Sequence, residues 1–291
     1  MITKKNVTEE IEDLSGLKRM VETYEEIAAS RIKRTREGVL KSRYFVEDIN
    51  TIFSEIKGSY KKEIDALMKK NKIKDPTKVS FFKKNGKNLY VFISANTGLY
   101  GEIVHETFNL FAQEAKKADC EIAIIGKQGL GLYSDLKLNK KYTYFDFPDS
   151  GFDDEKMKEI ISFLISYEKV MIFFGKFQNI VTQTPTMSDI SGNIQTSVNE
   201  DKPSSKYYFE PSIEKILAFF EQEIFSSIFE QTMRESQLAK FAARITTLDT
   251  STENIRKRLS QVIYEKNKIF HAEENKKQLQ TFSSIKLWGG K

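Results

Sequence analysis

The chain has 291 residues, 30% of them charged, and 46 Lys and Arg against 41 Asp and Glu leave a net charge of only +5. That length can bury a core without help from metal or disulfide, and the near-balance of charge describes a solvated surface, not a nucleic-acid footprint. A single cysteine, Cys120, and two histidines, His105 and His271, exclude an internal disulfide and a Cys/His zinc site at any usual spacing.

The residues from Met1 to Asn6 lead directly into charged sequence without the apolar stretch of a signal peptide. With the lone cysteine, this fits a reducing cytosol. The first segment, 8–74, lacks proline and carries Ile11, Leu14, Leu17, Val21, Tyr24, Ala28, Ile32, Val39, Val46, Ile49, Phe53 and Ile56 at steps near 3.5, the period of a supercoiled helix seam. Thr8 before Glu9 and Glu10 is the expected N-cap, and Asp75-Pro76 closes the helix because the residue before proline is driven from helical geometry.

Four short β-branched or aromatic runs follow, 89–94, 121–125, 142–147 and 169–175, and read as strands. They alternate with helical stretches at 102–117 and 153–167, the order of a βαβ sheet. The run 170–174 is far short of the roughly 20 apolar residues of a membrane helix. Any membrane association is therefore expected through partners. An extended segment, 179–187, leads into a polar loop at 191–205.

From 211 to 288 no Gly or Pro occurs inside the segment, which would span roughly 110 Å as one helix. Ile213, Ile216, Phe220, Ile224, Ile228, Leu238, Phe241, Ile245, Leu248, Ile255, Leu259 and Val262 mark a second seam. The polar stretch 248–254 predicts a local change of supercoil. The fold class is therefore α/β: a long antiparallel coiled coil of the N- and C-terminal helices with an inserted Rossmann-like α/β domain. Its divisions are 1–75, 76–210 and 211–291.

Two glycine loops sit where phosphate-binding loops sit, after a strand. Gly98-Leu99-Tyr100-Gly101 lacks G-x-G-x-x-G spacing, and the run from Gly126 to Gly131 lacks both that and the G-x-x-x-x-G-K-[ST] pattern, so tight turns account better for both. The basic residues Arg31, Lys33, Arg34, Arg36, Lys41 and Arg43, and Arg244, Arg256, Lys257 and Arg258, read either as a solvated coiled-coil face or as a surface meeting acidic groups of a surrounding protein. Nucleic acid is a third option, diluted by Glu22, Glu25, Glu26 and Glu37. His105 and His271 each have acidic neighbours but no nucleophile, and read as exposed helical histidines. Cys120, at the head of a strand, reads as a small buried residue.

Several phrases, in order along the chain, resemble the gamma subunit of F-type rotary ATPases. Residues Tyr24 to Arg31 are similar to its M-x-M-V-A-A-S-K phrase, and Ser94 with Gly98 to Gly101 to S-D-R-G-L-C-G. Residues Glu121 to Gly129 are similar to I-G-x-K-G, Gln183 to Thr186 to Q-x-P-T, Tyr208 to Pro211 to Y-x-x-E-P, and Ser236 to Arg244 to S-E-x-x-A-R-M. The resemblance covers nearly the whole chain. It implies a non-catalytic central-stalk rotor, binding no nucleotide, cofactor or metal, with the helix pair as an axle inside a ring of alpha/beta-type catalytic subunits. An epsilon-type small stalk subunit and, in a synthase, a membrane rotor ring would meet the inserted domain, holding the chain at the inner face of the cell membrane through the complex. Neither nucleic acid nor a direct small-molecule substrate is implied. Carried over residue by residue, Tyr24, Arg31 and Arg244 fall where the family's shaft meets the ring. The chain departs from the pattern at Asn96 and Tyr100, which stand for the Asp and Cys of S-D-R-G-L-C-G, and at 264–273, which keeps little of the family's Y-N-K-A-R-Q-A tip. These departures fit an alternative, the gamma-like shaft of a dedicated F-type-like motor of mycoplasmal kind, linked to gliding or surface structures.

Overall fold

The structure, a computed structural model, describes residues 4–59, 84–136, 138, 140–191, 210 and 212–288. The expected end of the first helix at Asp75-Pro76 and most of the polar loop at 191–205 lie outside these residues. Contacts divide the chain into two compact units, one drawn from residues up to Ala28 and from Ile245 onward, the other from Ala29–Arg244.

Helix α1, Lys4–Ser59, has 56 residues. Its less exposed positions include Val7, Ile11, Leu14, Lys18, Val21, Glu25, Ala28, Ile32, Thr35, Val39, Ser42, Val46, Ile49, Phe53 and Ile56. The steps alternate four and three without a break, a strict heptad seam. This corrects the expected register at two places: Leu17 and Tyr24 are exposed, and Lys18 and Glu25 occupy the seam instead. An apolar residue one position off a 3.5 repeat rotates about 100° out of the seam, and spacing outranks residue type. Thr8 is not the N-cap either. Burial of Val7 draws the preceding turn into the helix, whose first turn carries no acidic residue.

The last helix, α5, is Ile213–Trp288, 76 residues. In the unit that includes its C-terminal part, its less exposed positions include Ile245, Leu248, Thr252, Ile255, Leu259 and Val262. The 3–4 spacing runs straight through 248–254, so the expected change of supercoil is not needed there: Thr252 simply fills a seam position, its hydroxyl buried without a hydrogen-bond partner. Within the same unit, Arg258 reaches Glu10 at 2.6 Å and Arg256 reaches Glu22 at 3.6 Å, fixing the two helices antiparallel.

The second unit contains the sheet. Strands β1 (Asn88–Ile93), β2 (Glu121–Ile125), β3 (Tyr142–Phe145), β4 (Lys169–Phe177) and β5 (Gln183–Asp189) lie in the order β3-β2-β1-β4-β5. All neighbours are parallel except β4 and β5. Three helices follow strands: α2 (Ile103–Lys117) after β1, α3 (Lys127–Asp135) after β2 and α4 (Asp154–Leu164) after β3. The expected strands at 89–94, 121–125 and 169–175 agree to within two residues, and the extended segment at 179–187 is a turn followed by edge strand β5. Pro185 is tolerated on that edge, where its missing N–H is not needed for the ladder.

Helix α3 stands where the glycines of 126–131 predict only a turn. Gly129 is required by packing: a Cβ there would stand 2.6 Å from Ile124 Cγ2 and 2.9 Å from Ser94 Cβ. Alternating strand residues feed two cores. Leu89, Val91, Ile93, Val170 and Ile172 pack with α4 and with Phe225, Phe229 and Met233 of α5. On the opposite face Phe92, Ile122, Ile124 and Phe173 pack with α2 and with Phe241 of α5. Elsewhere in the same unit, Ile49, Phe53 and Ile56 of α1 meet Leu217 and Ile224 of α5. Cys120 is buried, and burial pushes its thiol pKa up.

Candidate coupling site at the sheet edge

A doubly wound sheet binds its ligand outside the carboxyl ends of the strands, where neighbouring crossovers diverge. Here that point lies beside β1, flanked by β2 and β4, and the chain itself occupies it. The Asp149 carboxylate accepts the backbone N–H groups of Asn96 at 2.9 and 3.0 Å and of Thr97 at 2.7 Å, plus the Thr97 hydroxyl at 2.8 Å. Two successive N–H groups converging on one anion are the donor set that a phosphate would use. The second loop is spent in the same way. Gly126 N–H donates to Phe145 O, Lys127 N–H to Asn96 Oδ1 and Gln128 N–H to Ala95 O, at 2.8–3.0 Å. Both loops thus spend backbone donors on the chain's own oxygens.

Helix α5 closes the crevice with three side chains on one face. Lys240 Nζ donates to Ser94 O at 2.8 Å and lies 3.6 Å from Asp149. Gln237 Nε2 donates to Pro148 O and Gly151 O, both at 3.1 Å. Arg244 Nη2 donates to Gly98 O at 2.6 Å and Thr97 Oγ1 at 3.0 Å, and the guanidinium lies 4.1 Å above the Tyr100 ring. Burial lowers the pKa of Lys240, against the attraction of Asp149. For Asp149, burial raises the pKa, but Lys240 and the N–H groups of Asn96 and Thr97 outweigh it and hold the carboxyl below its usual range. Asn96, the departure from the family's Asp, also donates from Nδ2 to Asp146 Oδ1 and Phe147 O, so its amide joins all three loops.

The three residues singled out in the sequence do not come together. Arg244 belongs to the network just described. Arg31 lies in the same unit, with its guanidinium 5.7 Å from the Phe241 ring centroid. Tyr24 lies in the other unit, 48% exposed, on a stripe of Leu17, Met20, Tyr24 and Ile27 spaced 3–4–3 along α1 and turned away from the seam. Hydropathy alone hides that stripe, because it counts positions 17 and 24 into the seam. Asp149, Lys240 and Gln237 escape sequence reasoning too, since a single polar residue in a loop or long helix gives no local signal. His105 and His271 are exposed, and no cluster of His, Cys, Asp or Glu fit for a metal occurs among the described residues. No described helix is long and apolar enough to cross a membrane.

Comparison with known proteins agrees with this geometry. A family profile described as ATP synthase matches residues 3–270. The ATP synthase gamma chain of Mesoplasma florum is 26% identical over 87% of either chain. Two cryo-EM structures share the fold at 15% identity. A chain of the Euglena gracilis mitochondrial ATP synthase, OSCP/F1/c-ring, aligns with a TM-score of 0.53 over 89% of this chain and 95% of that one. A chain of the Tetrahymena thermophila mitochondrial ATP synthase, central stalk and c-ring, aligns with a TM-score of 0.54 over 80% and 99%. These relatives favour a synthase chain over a dedicated gliding or surface-linked motor. With a profile match over most of its length, strict seam helices at both ends and a sheet crevice filled by its own side chains, the chain belongs to the ATP synthase family, among its gamma chains.

Proposed function

We propose that this chain is the central-stalk rotor of an F-type ATP synthase, coupling ATP turnover on a surrounding ring of alpha/beta-type subunits to rotation, without catalysing a reaction itself. The observation that carries this reading is the crevice beside β1, where Asp149, Lys240 and Arg244 take the donors and acceptors that a nucleotide would need. The nucleotide chemistry then belongs to the partners. The terminal helices act as the shaft, and the inserted domain meets an epsilon-type subunit and the membrane rotor ring, which place the chain peripherally at the inner face of the membrane.

Of the three bearing candidates, Tyr24 offers the most to a ring, because it stands in a half-exposed apolar stripe. Arg244 has less to offer, since its Nη2 is spent on Gly98 O and Thr97 Oγ1 and its guanidinium lies on the Tyr100 ring, and Arg31 stands beside the Phe241 ring. An asymmetric shaft couples by differential contact energy with the ring's conformations at each angle.

The test is reconstitution of this chain with its alpha- and beta-type subunits. Expected results are a stable complex, ATP-driven rotation of the chain, and, for Tyr24→Ala, unchanged melting of the free chain with impaired rotation. Failure of the wild-type chain to enter the ring complex would refute the reading.

A further inference from the structure

Within Ala29–Arg244, packing between α5 and the sheet is of two kinds. Phe225, Phe229, Met233 and Phe241 make apolar contact with the strands. Its driving force is non-directional, so it fixes a helix against sliding or turning less sharply than directed polar contacts do. The polar network is directional. Gln237, Lys240 and Arg244 stand at i, i+3 and i+7, one face of two turns, and grip the β1–α2 and β3–α4 loops at five oxygens and the Tyr100 ring.

Lys240 is the centre of that grip. Its side chain is 7% exposed and that of Asp149 8%. A buried ion pair is a weak source of stability, since desolvation offsets its attraction, and positional specificity is its better-attested use. Asp149 is itself held by two N–H groups and a hydroxyl, so it presents a fixed anion to the helix.

We infer that the Lys240–Asp149 pair, with Gln237 beside it, is the pin that fixes the axial and angular register of α5 on the inserted domain, so that torque on the helix turns the domain without slip. Lys240 is a positioning residue: its ammonium is spent on Ser94 O and Asp149 within the chain. This inference rests on the rotor reading and assigns to that rotor the site where shaft and domain are joined.

The test uses the complex of this chain with its ring subunits, the ring fixed to a surface and a bead attached to the inserted domain. The chain's one cysteine is buried, so Val181→Cys, at a position 76% exposed in the turn before β5, supplies the attachment point. The quantity read is the angular variance of the bead at each dwell. Lys240→Met with Asp149→Asn removes both charges at nearly constant volume, and the variance is expected to rise about twofold. Ile160→Val, in the apolar core that α4 forms with the strands, serves as a control matched for thermal midpoint, and leaves the variance unchanged.

Gln237→Leu, which removes two carbonyl contacts and no charge, is a second and milder variant in case the double variant does not assemble, and widens the variance in the same direction. Rotation in which the variants' variance equals the parent's overturns the pin alone. A parent complex that does not rotate overturns the rotor reading, and the pin with it.

Discussion

Replacing Gly126 by alanine perturbs the end of β2 at a position where neither the backbone conformation nor the space suits a side chain. The residue caps α3 at φ 100° and ψ 144°, a conformation that L side chains rarely adopt. An added Cβ would stand 2.8 Å from Ala95 N and 3.0 Å from Ala95 C and O, atoms of β1's outgoing backbone that cannot rotate aside. Backbone strain of this kind costs about 1–3 kcal/mol and overpacking typically about 1–3 kcal/mol, so a loss of about 3 kcal/mol is expected. Five residues on, Gly131 sits inside α3 with open space where a Cβ would go, and alanine there gains about 0.5–1 kcal/mol over glycine. Because the long helices dominate any global signal, the assay is native-state amide exchange at Val91 and Ala123, both fully buried in neighbouring strands. Gly126→Ala is expected to speed their exchange about a hundredfold, at about 1.4 kcal/mol per decade, while Gly131→Ala slows it. A loss under about 1 kcal/mol for Gly126→Ala, or equal effects of the two alanines, would show that the close approach to Ala95 does not constrain this fold.

The seam register makes a second pair of expectations. Leu17→Ala should change the stability of the helix pair by less than about 0.5 kcal/mol despite removing a leucine, because the site is half-exposed. Lys18→Leu should raise stability by about 0.5–1 kcal/mol in urea melts, after loss of the 3.6 Å surface pair with Glu22. The pH dependence of the inserted domain follows from Asp149. Its folded pKa lies below the unfolded value of about 3.9, so its contribution is fully present above about pH 4 and is lost as pH falls through the folded pKa. Asp149→Asn should flatten that acid limb of the stability profile. Lys240 acts between its lowered folded pKa and the ordinary 10.5: its cost to stability is greatest below the folded pKa and diminishes as pH rises toward 10.5. Lys240→Met should remove this dependence.

The two terminal helices and the sheet are legible because their signals are periodic. Two seams at 3.5-residue spacing and four apolar runs bounded by turns survive without knowledge of any partner atom. Phase and local chemistry do not. Leu17 and Tyr24 are apolar and Lys18 and Glu25 are not, so hydropathy places the seam one residue early, and only an unbroken run from Val7 to Ile56 assigns it correctly. Helix α3 is masked because Gly129, which lowers helix propensity, is demanded by the close approach of Ile124. The Asp149–Lys240 network is out of reach for a different reason: the two residues are distant in sequence, and their pairing exists only after α5 has packed on the sheet.

The carboxylate cradled by Asn96 and Thr97 has a thermodynamic consequence. A doubly wound sheet that holds a phosphate gains stability with ligand concentration, as RT ln(1 + [L]/Kd), and softens when the ligand is scarce. Here the anion is covalently part of the chain, present at a fixed effective concentration. At this crevice the chain's own carboxylate stands where that ligand would, so the contribution of these contacts does not depend on the concentration of any free anion.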